Sequence, residues 1–258
     1  MRRVSEGTRQ RNPVTRAFRI LGWMAGASGD AWPLGEIAAG VAMHPATVHR
    51  VLGQLVDDGL VRQVPGGAYG LGLEFLRLAW LASGRESLRD VAEPELRALT
   101  ADTGETSWLG LYEPSRREML FAASVESPHA IRQVRPINEW RPVHGGASGR
   151  ALLAFLPEAE REAVLAGPLE AVTPNTVTDP GALRRQLDEV RSRGYSVTRG
   201  ERVLGGVGIA APVLAGDGRL LGVIGIGLPE QRYDAADEPC LAARVIAAAE
   251  AVARAAGA

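Results

Sequence analysis

Residues 44–59, HPATVHRVLGQLVDDG, constrain the fold of this chain more than any other stretch. The apolar residues recur with the spacing of one helix face, namely Val48, Val51, Leu52, Leu55 and Val56. Pro45 suits the first position of a helix, and Gly59 suits the left-handed residue that follows one. The other face is small, polar and basic, so the helix is predicted to bury one side and to present the other to a partner.

Two shorter helical patterns precede this segment. The first covers about residues 14–27, with Phe18, Leu21 and Ala25 predicted to point inward, and the second covers about residues 34–41. Only residues 42–44 separate the second helix from the third, and so short a connection makes the two helices cross at a steep angle. The turn position usually holds glycine for its positive φ, and here it holds Ala42.

The stretch VRQVPGGAYGLG after Leu60 predicts a two-stranded ribbon with its turn at residues 65–67. Three helices followed by such a wing are typical of a winged helix-turn-helix, whose last helix enters the major groove of double-stranded DNA. The hydroxyl, imidazole, guanidinium and amide groups on that helix suit base edges or phosphates. The candidate DNA-binding residues are Arg16, Pro45, Ala46, Thr47, His49, Arg50, Gln54 and Arg62.

Charge is distributed unevenly along the chain. The formal net charge is −1 over 258 residues, yet residues 1–20 contain six arginines against Glu6 alone. A positive N-terminal segment on an acidic body is typical of a protein whose N-terminal part meets a polyanion. A solvated polar helix of an enzyme is the alternative interpretation of the third helix, but helix, turn, helix, basic arm and wing occur together here.

The segment Leu73–Ser83 is predicted to be a helix with apolar residues on more than one side, including Leu76 and Trp80. Such a helix is expected to pack against its copy in a second subunit or against the larger domain of its own chain. We therefore expect a DNA-binding domain at residues 1–72, a linker helix at 73–87 and an effector-binding domain at 88–258.

The rest of the chain mixes helical and strand patterns. Strands are predicted near residues 106–112, 119–124, 131–134, 195–199, 207–214 and 220–228, and helices near 88–102, 148–155, 158–165, 180–192 and 235–256. This order predicts an α+β fold, with helices on the faces of an antiparallel sheet.

The sequence HGGASGRA leaves exposed backbone before a helix predicted to begin near Ser148. Free N–H groups at a helix N-terminus suit a carboxylate. No acidic partner accompanies Ser148 and His144, so no catalytic site is predicted. The four histidines lack metal-ligand spacing and Cys240 is the single cysteine, so neither a metal nor a cofactor is expected.

Over nearly its whole length the chain resembles the IclR-type bacterial transcriptional regulators. The resemblance is carried by PATVHRVLGQLVDDGLV, by YGLG, by VHGGASGRALLAFL and by GYSVTRGERVLGGVGIAAPV, in which Glu201 and Gly205 are the most specific residues. It implies a winged helix-turn-helix joined by a linker helix to a GAF-like antiparallel-sheet domain. It also implies a small-molecule effector and dimers that often pair into tetramers.

In that family the HGGASGRA segment lines the effector pocket, which makes candidates of His144, Gly145, Gly146, Ala147 and Ser148. The facing strands of members that bind small polar acids carry polar side chains, at positions that correspond here to Thr198, Gly206, Gly208, Gly225 and Gly227. Because glycines widen a cavity, an aromatic acid is favoured over a two- or three-carbon keto acid. Trp108 and Trp140 could help to enclose the ligand.

Two other functions compete with a ligand-responsive regulator. The first is an enzyme on a GAF-like domain with an N-terminal oligomerisation module, but that module would make the exposed face of the third helix apolar. The second is a constitutive architectural DNA-binding protein, which the large body disfavours. The charged N-terminus lacks the apolar region of a signal peptide, and no apolar stretch is long enough to cross a bilayer. A cytoplasmic protein without a membrane partner is therefore expected.

Overall fold

The computed structural model describes residues 12–83 and 88–257, which belong to two compact units, residues 1–85 and 86–258. The predicted basic arm up to Arg11 and the side chain of Trp80 lie outside the described residues. None of the described helices combines the length and the hydrophobicity that crossing a membrane requires. The two units are described in turn.

The N-terminal unit is a winged helix-turn-helix, as predicted. Its helices are α1 (Pro13–Gly26), α2 (Leu34–Gly40), α3 (Pro45–Asp57) and α4 (Leu73–Ser83), and its strands are β1 (Val61–Gln63) and β2 (Tyr69–Leu71). The two strands pair antiparallel, and Trp32 adds an isolated bridge to Tyr69. The wing is thereby tied to the loop that precedes α2.

Local polar contacts and one strained residue set the helix boundaries. The Asn12 side chain accepts a hydrogen bond from the Val14 N–H at 2.9 Å, and His44 Nδ1 accepts one from the Ala46 N–H at 3.3 Å. Ala42, in the turn between α2 and α3, has a φ of 50°. The turn therefore needs the left-handed conformation that glycine usually supplies, at a strain of about 1–2 kcal/mol for another residue.

The core of this unit lies where the three helices meet. Its fully buried members include Ile20, Met24, Ile37, Val48 and Leu52. The inward prediction for the first helix is confirmed at Leu21 and was wrong at Phe18 and Ala25, which are exposed. The buried stripe of α1 runs through Ile20, Leu21 and Met24.

The C-terminal unit is an antiparallel sheet covered by helices on both faces. Its strands are β3 (Thr106–Glu113), β4 (Glu118–Val125), β5 (Arg141–Pro142), β6 (Ser196–Arg199), β7 (Gly206–Leu214) and β8 (Leu220–Pro229). They lie in the order β5-β4-β3-β8-β7-β6. The helices are α5 (Leu88–Thr103), α6 (Gly146–Phe155), α7 (Glu158–Leu165), α8 (Pro180–Arg193) and α9 (Glu238–Ala255), with a 3₁₀ turn at Glu230–Arg232.

Alternating side chains of the central strands supply both cores. On β3, Leu109 packs into the cluster that contains residues of α5 and α9, whereas Trp108 packs into the cluster that contains residues of α6, α7 and α8. The predicted α+β fold is thus confirmed, and the cavity described below lies on the Trp108 side of the sheet.

Residues 131–134, predicted as a strand, form a loop. Ile131 and Val134 are 73% and 58% exposed, while Gln133 is buried. Side chains satisfy the backbone here, because the Thr106 hydroxyl donates to the Gln133 carbonyl and Arg232 donates to the Ile131 carbonyl, each at 2.8 Å. The segment bonds to the start of β3 and to the turn after β8 without joining the ladder.

Candidate functional site

The exposed face of α3 carries the predicted DNA-binding residues together. Pro45, Ala46, His49, Arg50 and Gln54 are exposed and Thr47 is half-buried, whereas the apolar stripe of the same helix is buried. A Cβ atom at Gly53 would meet nothing within 4 Å. Packing inside the described part of this unit therefore does not require a small residue at Gly53.

Two further arginines flank this face in the prediction. Arg62 is exposed on β1, and its Nε donates to the Leu71 carbonyl at 3.2 Å. That bond holds its side chain at the base of the wing. Arg16 lies half-buried on α1.

A narrow cavity lies beside the N-terminus of α6. It encloses about 20 Å³, which is room for about one water molecule. Seven of the eleven predicted effector residues line it: Trp108, Gly146, Ala147, Ser148, Thr198, Gly206 and Gly208. The lining also includes residues that were not predicted from the sequence, among them Phe121, Gln133, Arg135, Glu201, Arg202 and Val203.

The glycines of HGGASGRA have structural reasons of their own. Gly146 begins α6 with a φ of 79°, and a Cβ there would come within 3.1 Å of Arg202 Nε. A Cβ at Gly149 would lie 2.0 Å from the Val143 carbonyl oxygen, so only glycine lets the helix pass this backbone. No side chain among the described residues caps α6. The first N–H groups of a helix lack intrahelical partners, so the wall made by Gly146, Ala147 and Ser148 suits an anion.

The expectation that the strand glycines leave open space was wrong. A Cβ at Gly227 would lie 2.6 Å from Trp108 Cζ3 and 2.6 Å from Gln133 Oε1. A Cβ at Gly225 would lie 2.8 Å from Trp108 Nε1, and one at Gly206 would lie 2.3 Å from Gln133 Nε2. Because these glycines have no side chain, they make room for the Trp108 indole and for the side-chain amide of Gln133. A larger residue at position 227 would collide with Trp108 before it could fill a cavity.

Trp108 is fixed at the centre of the cavity wall. Its Nε1 donates to the Ser148 hydroxyl at 2.8 Å, and its ring meets Phe121 edge to face with 5.6 Å between the centroids. The Arg135 guanidinium lies 4.3 Å from the Trp108 ring centroid. The indole therefore has one edge on α6 and one face covered by a cation.

Trp140 and four of the eleven predicted effector residues do not line the cavity, the four being His144, Gly145, Gly225 and Gly227. Trp140 is 41% exposed and stacks under Arg116, away from the cavity, so its predicted enclosing role was wrong. His144 is buried, and its Nε2 hydrogen-bonds the Glu170 carbonyl at 2.8 Å. This contact explains the burial of a polar ring directly before α6 and places the imidazole outside the cavity lining.

Arg135 and Arg202 are the two cationic residues of the described cavity lining, and neither was predicted from the sequence. Arg135 donates to the Gln133 side chain, and its buried Nε has no hydrogen-bond partner among the described residues. Arg202 donates to the backbone carbonyls of Gly145 and Pro142. Arg202 stands beside Glu201 in the most specific sequence block, which was the available signal. Arg135 lies in a segment that was interpreted as a strand.

A buried ion pair adjoins the cavity. Arg150 Nη2 lies 2.5 Å from Glu201 Oε1, and the two side chains are 6% and 8% exposed. Burial lowers the pKa of Arg150 and raises the pKa of Glu201, while the attraction between them opposes both shifts. The Gly146 N–H also favours the ionised carboxylate, although no donor among the described residues completes a hydrogen bond to Oε2.

The described residues contain no group of three or more histidine, cysteine, aspartate and glutamate side chains that could hold a metal ion.

Comparisons with known proteins agree over both units. The sequence profile of the IclR helix-turn-helix domain matches residues 13–65, and that of the bacterial transcriptional regulator IclR C-terminal domain matches residues 82–254. The HTH-type transcriptional regulator BhcR of Paracoccus denitrificans is 34% identical over 245 residues, which cover 92% of this chain and 84% of BhcR.

Solved structures give the same result. An IclR transcriptional regulator from Alicyclobacillus acidocaldarius superposes with a TM-score of 0.80 at 28% identity, over 95% of this chain and 98% of the other. An IclR homologue from Microbacterium hydrocarbonoxydans, crystallised with 4-hydroxybenzoate, has a TM-score of 0.79 at 29% identity over the same shares of the two chains.

Proposed function

This chain belongs to the IclR family of bacterial transcriptional regulators, and from that premise we propose that it senses a small aromatic carboxylic acid. Its relatives are transcriptional regulators, so it is a DNA-binding regulator with an effector domain and not an enzyme. The proposal adds the chemical class of the effector, the residues that meet DNA, and the assembly.

The observation that carries the effector proposal is the composition of the cavity beside α6. One small space is lined by a helix N-terminus that no side chain of the described residues caps, by two guanidinium groups and by two aromatic rings. The cations and the helix terminus suit a carboxylate, and Trp108 and Phe121 suit a ring. The relative that was crystallised with 4-hydroxybenzoate has the same fold, and its ligand is an aromatic carboxylic acid. This supports the proposed class of effector.

The enclosed 20 Å³ is too small for a ring, so binding has to open the site. An effector can then shift the population between two arrangements of the protein only by its differential affinity for them. The open arrangement would be the one that holds the acid. Among the wall residues, Thr198, Gly206 and Gly208 would lie along the ring, and Gly146, Ala147 and Ser148 along the carboxylate.

Calorimetry tests the effector class. Benzoate, 4-hydroxybenzoate, pyruvate and glyoxylate are titrated separately into the full-length protein. We expect saturable binding of at least one aromatic acid, at least tenfold tighter than either keto acid, because only the ring can stack on Trp108. Tighter binding of a keto acid would contradict the aromatic class, and binding of none of the four would contradict the proposal as a whole.

On the DNA side, we propose that Pro45, Ala46, Thr47, His49, Arg50 and Gln54 meet the major groove. Arg62 would lie at the base of the wing beside the phosphates, with Arg16 on α1 as a further contact. The support is their common exposed face on a helix-turn-helix of a DNA-binding family.

Self-association is proposed from α4. Leu73, Leu76, Leu78 and Leu81 are 70%, 37%, 48% and 62% exposed in one eleven-residue helix. A dimer or tetramer would bury this apolar surface and hold two α3 helices about one DNA turn apart. We expect light scattering at micromolar concentration to give at least a dimer, and Leu76→Glu/Leu81→Glu to shift it towards monomer. A wild-type monomer would refute the proposal.

A further inference from the structure

The described lining of the cavity holds two guanidinium groups and one carboxylate, and that carboxylate is paired with a third guanidinium group outside the lining. Glu201 is the only acidic residue among the described lining residues, and its Oε1 is taken by Arg150. Arg135 and Arg202 make no ion pair within the described part of the chain. Arg202 bonds to two backbone carbonyls, and Arg135 bonds to a neutral amide. The site therefore carries two positive charges without a counter-charge.

The positions of the two charges make this arrangement costly. Burial, together with repulsion from Arg202 and Arg141, lowers the pKa of Arg135 to about 9. Burial and repulsion from Arg141 lower the pKa of Arg202 to about 10. Burying a charge without a counter-charge is unfavourable. An anion between Arg135 and Arg202 would offset the cost of desolvation and reduce the repulsion between the two guanidinium groups.

The N-terminus of α6 adds to the same positive potential. Arg202 packs against Gly146, the first residue of that helix, where a Cβ would come within 3.1 Å of Nε. The positive end of the helix dipole and the Arg202 guanidinium thus lie together, and the carboxylate near them, that of Glu201, is paired with Arg150. A carboxylate placed there would accept hydrogen bonds from side chain and backbone alike.

We propose that Arg135 and Arg202 together hold the carboxylate of the effector, and that Arg135 leaves the face of Trp108 to do so. The inference rests on the proposed function, to which it adds the two side chains that select an anion. Arg202 is the fixed member of the pair, because backbone carbonyls of Gly145 and Pro142 hold it. Arg135 is the movable member.

The surroundings of Arg135 allow that movement. It lies in the loop between β4 and β5, two residues beyond Gln133. Gln133 is anchored by bonds to the Thr106 hydroxyl and the Leu228 carbonyl, each 2.8 Å long. The guanidinium itself has the stack on Trp108 and the bond to the Gln133 side chain. Its departure would uncover the indole face, which a ring could then occupy.

The test is calorimetry on full-length protein with the tightest-binding acid of the four above and with its primary amide, which has the same shape and no charge. The variants are Arg135→Met and Arg202→Met, with Arg135→Lys and Arg202→Lys to keep the charge. Arg132→Met is the matched control, because Arg132 is three residues from Arg135 and pairs on the surface with Glu126. Circular dichroism and DNA affinity confirm that each variant is folded.

We expect each Met variant to weaken acid binding roughly 10- to 150-fold, the range for hydrogen bonds to charged groups. The Lys variants should bind the acid with an affinity between those of the Met variants and the wild type. An ammonium group keeps the charge but lacks the planar, bidentate geometry of a guanidinium group. The amide should bind weakly to all variants, and Arg132→Met should bind the acid like wild type. If a wild-type protein that binds the acid loses less than threefold in both Met variants, this inference is wrong while the proposed function stands.

Discussion

Replacing Arg150 by methionine is expected to lower the free energy of unfolding of the effector domain by about 3–5 kcal/mol at neutral pH. The change leaves the Glu201 carboxylate buried, 8% exposed, without the cation that lies 2.5 Å away in the wild type. An uncompensated buried charge is far more costly than the loss of the pair itself. Urea unfolding monitored by circular dichroism measures the loss.

The matched control is Arg184→Met. Arg184 lies 2.5 Å from Glu162, the same distance as in the buried pair, but the two side chains are 48% and 42% exposed. Water solvates the charge that remains, so a much smaller loss is expected. The double variant Arg150→Met/Glu201→Gln should be more stable than Arg150→Met, because no charge is left buried. Equal losses of unfolding free energy in Arg150→Met and Arg184→Met would contradict the claim that burial makes the unpaired charge costly.

The destabilisation by Arg150→Met should also depend on pH. Burial already raises the pKa of Glu201 in the wild type, and loss of Arg150 raises it further. A carboxyl group whose pKa is higher in the folded state than in the unfolded state binds its proton more tightly when folded. The folded state is therefore favoured as the pH falls through that pKa. We expect the free energy of unfolding that Arg150→Met loses to be smaller at pH 5 than at pH 7. A larger loss at pH 5 would refute the claim that the buried Glu201 carboxylate causes the destabilisation.

Replacing Arg50 by alanine is expected to weaken DNA binding by about 1–3 kcal/mol, or roughly 5- to 150-fold, if Arg50 reads a base. Arg50 stands exposed on α3, one position along from His49 and on the side opposite the buried Val48 and Leu52. Loss of a base contact relaxes specificity at one position. If Arg50 meets a phosphate, affinity falls equally for all sequences and the salt slope drops by about 1.

Fluorescence anisotropy with a duplex from the upstream region of the gene, measured over a range of salt concentrations, distinguishes the two cases. Arg219→Ala is the control, because Arg219 is an exposed arginine on the effector domain, 67% exposed. It should leave affinity unchanged. A folded Arg50→Ala/Thr47→Ala variant that binds like wild type would overturn the assignment of α3 as the reading helix.

The fold could be predicted from the sequence where the spacing of the apolar residues agrees with the residues that begin and end an element. Pro45 and Gly59 bracket α3, and the structure places Gly59 at a φ of 70° directly after it. Ala42 was identified as a turn residue that needs a positive φ, and it has one. Phe18 was assigned inward because it is spaced with Leu21 and Ala25 on one helix face, but the buried stripe of α1 also runs through Ile20 and Met24 and leaves Phe18 exposed.

The site could be predicted only in part, because the sequence shows which residues are small but not which side chains cover them. Gly225 and Gly227 suggested an empty groove, and the indole of Trp108, a residue of another strand, covers both. Residues 131–134 have the composition of a strand, and their backbone bonds to side chains that are distant in sequence. The charges of Arg135 and Arg202 become informative only once the structure shows that nothing in the described residues neutralises them.

The most direct test of the account is the DNA affinity of the wild-type protein with and without a saturating concentration of the acid that calorimetry identifies. We expect the acid to change the Kd for the upstream duplex by about 5- to 150-fold, the usual range of coupling between two sites. By linkage, the acid must bind to the protein–DNA complex with an affinity changed by the same factor. An acid that binds the effector domain and leaves the Kd for DNA unchanged would contradict the account.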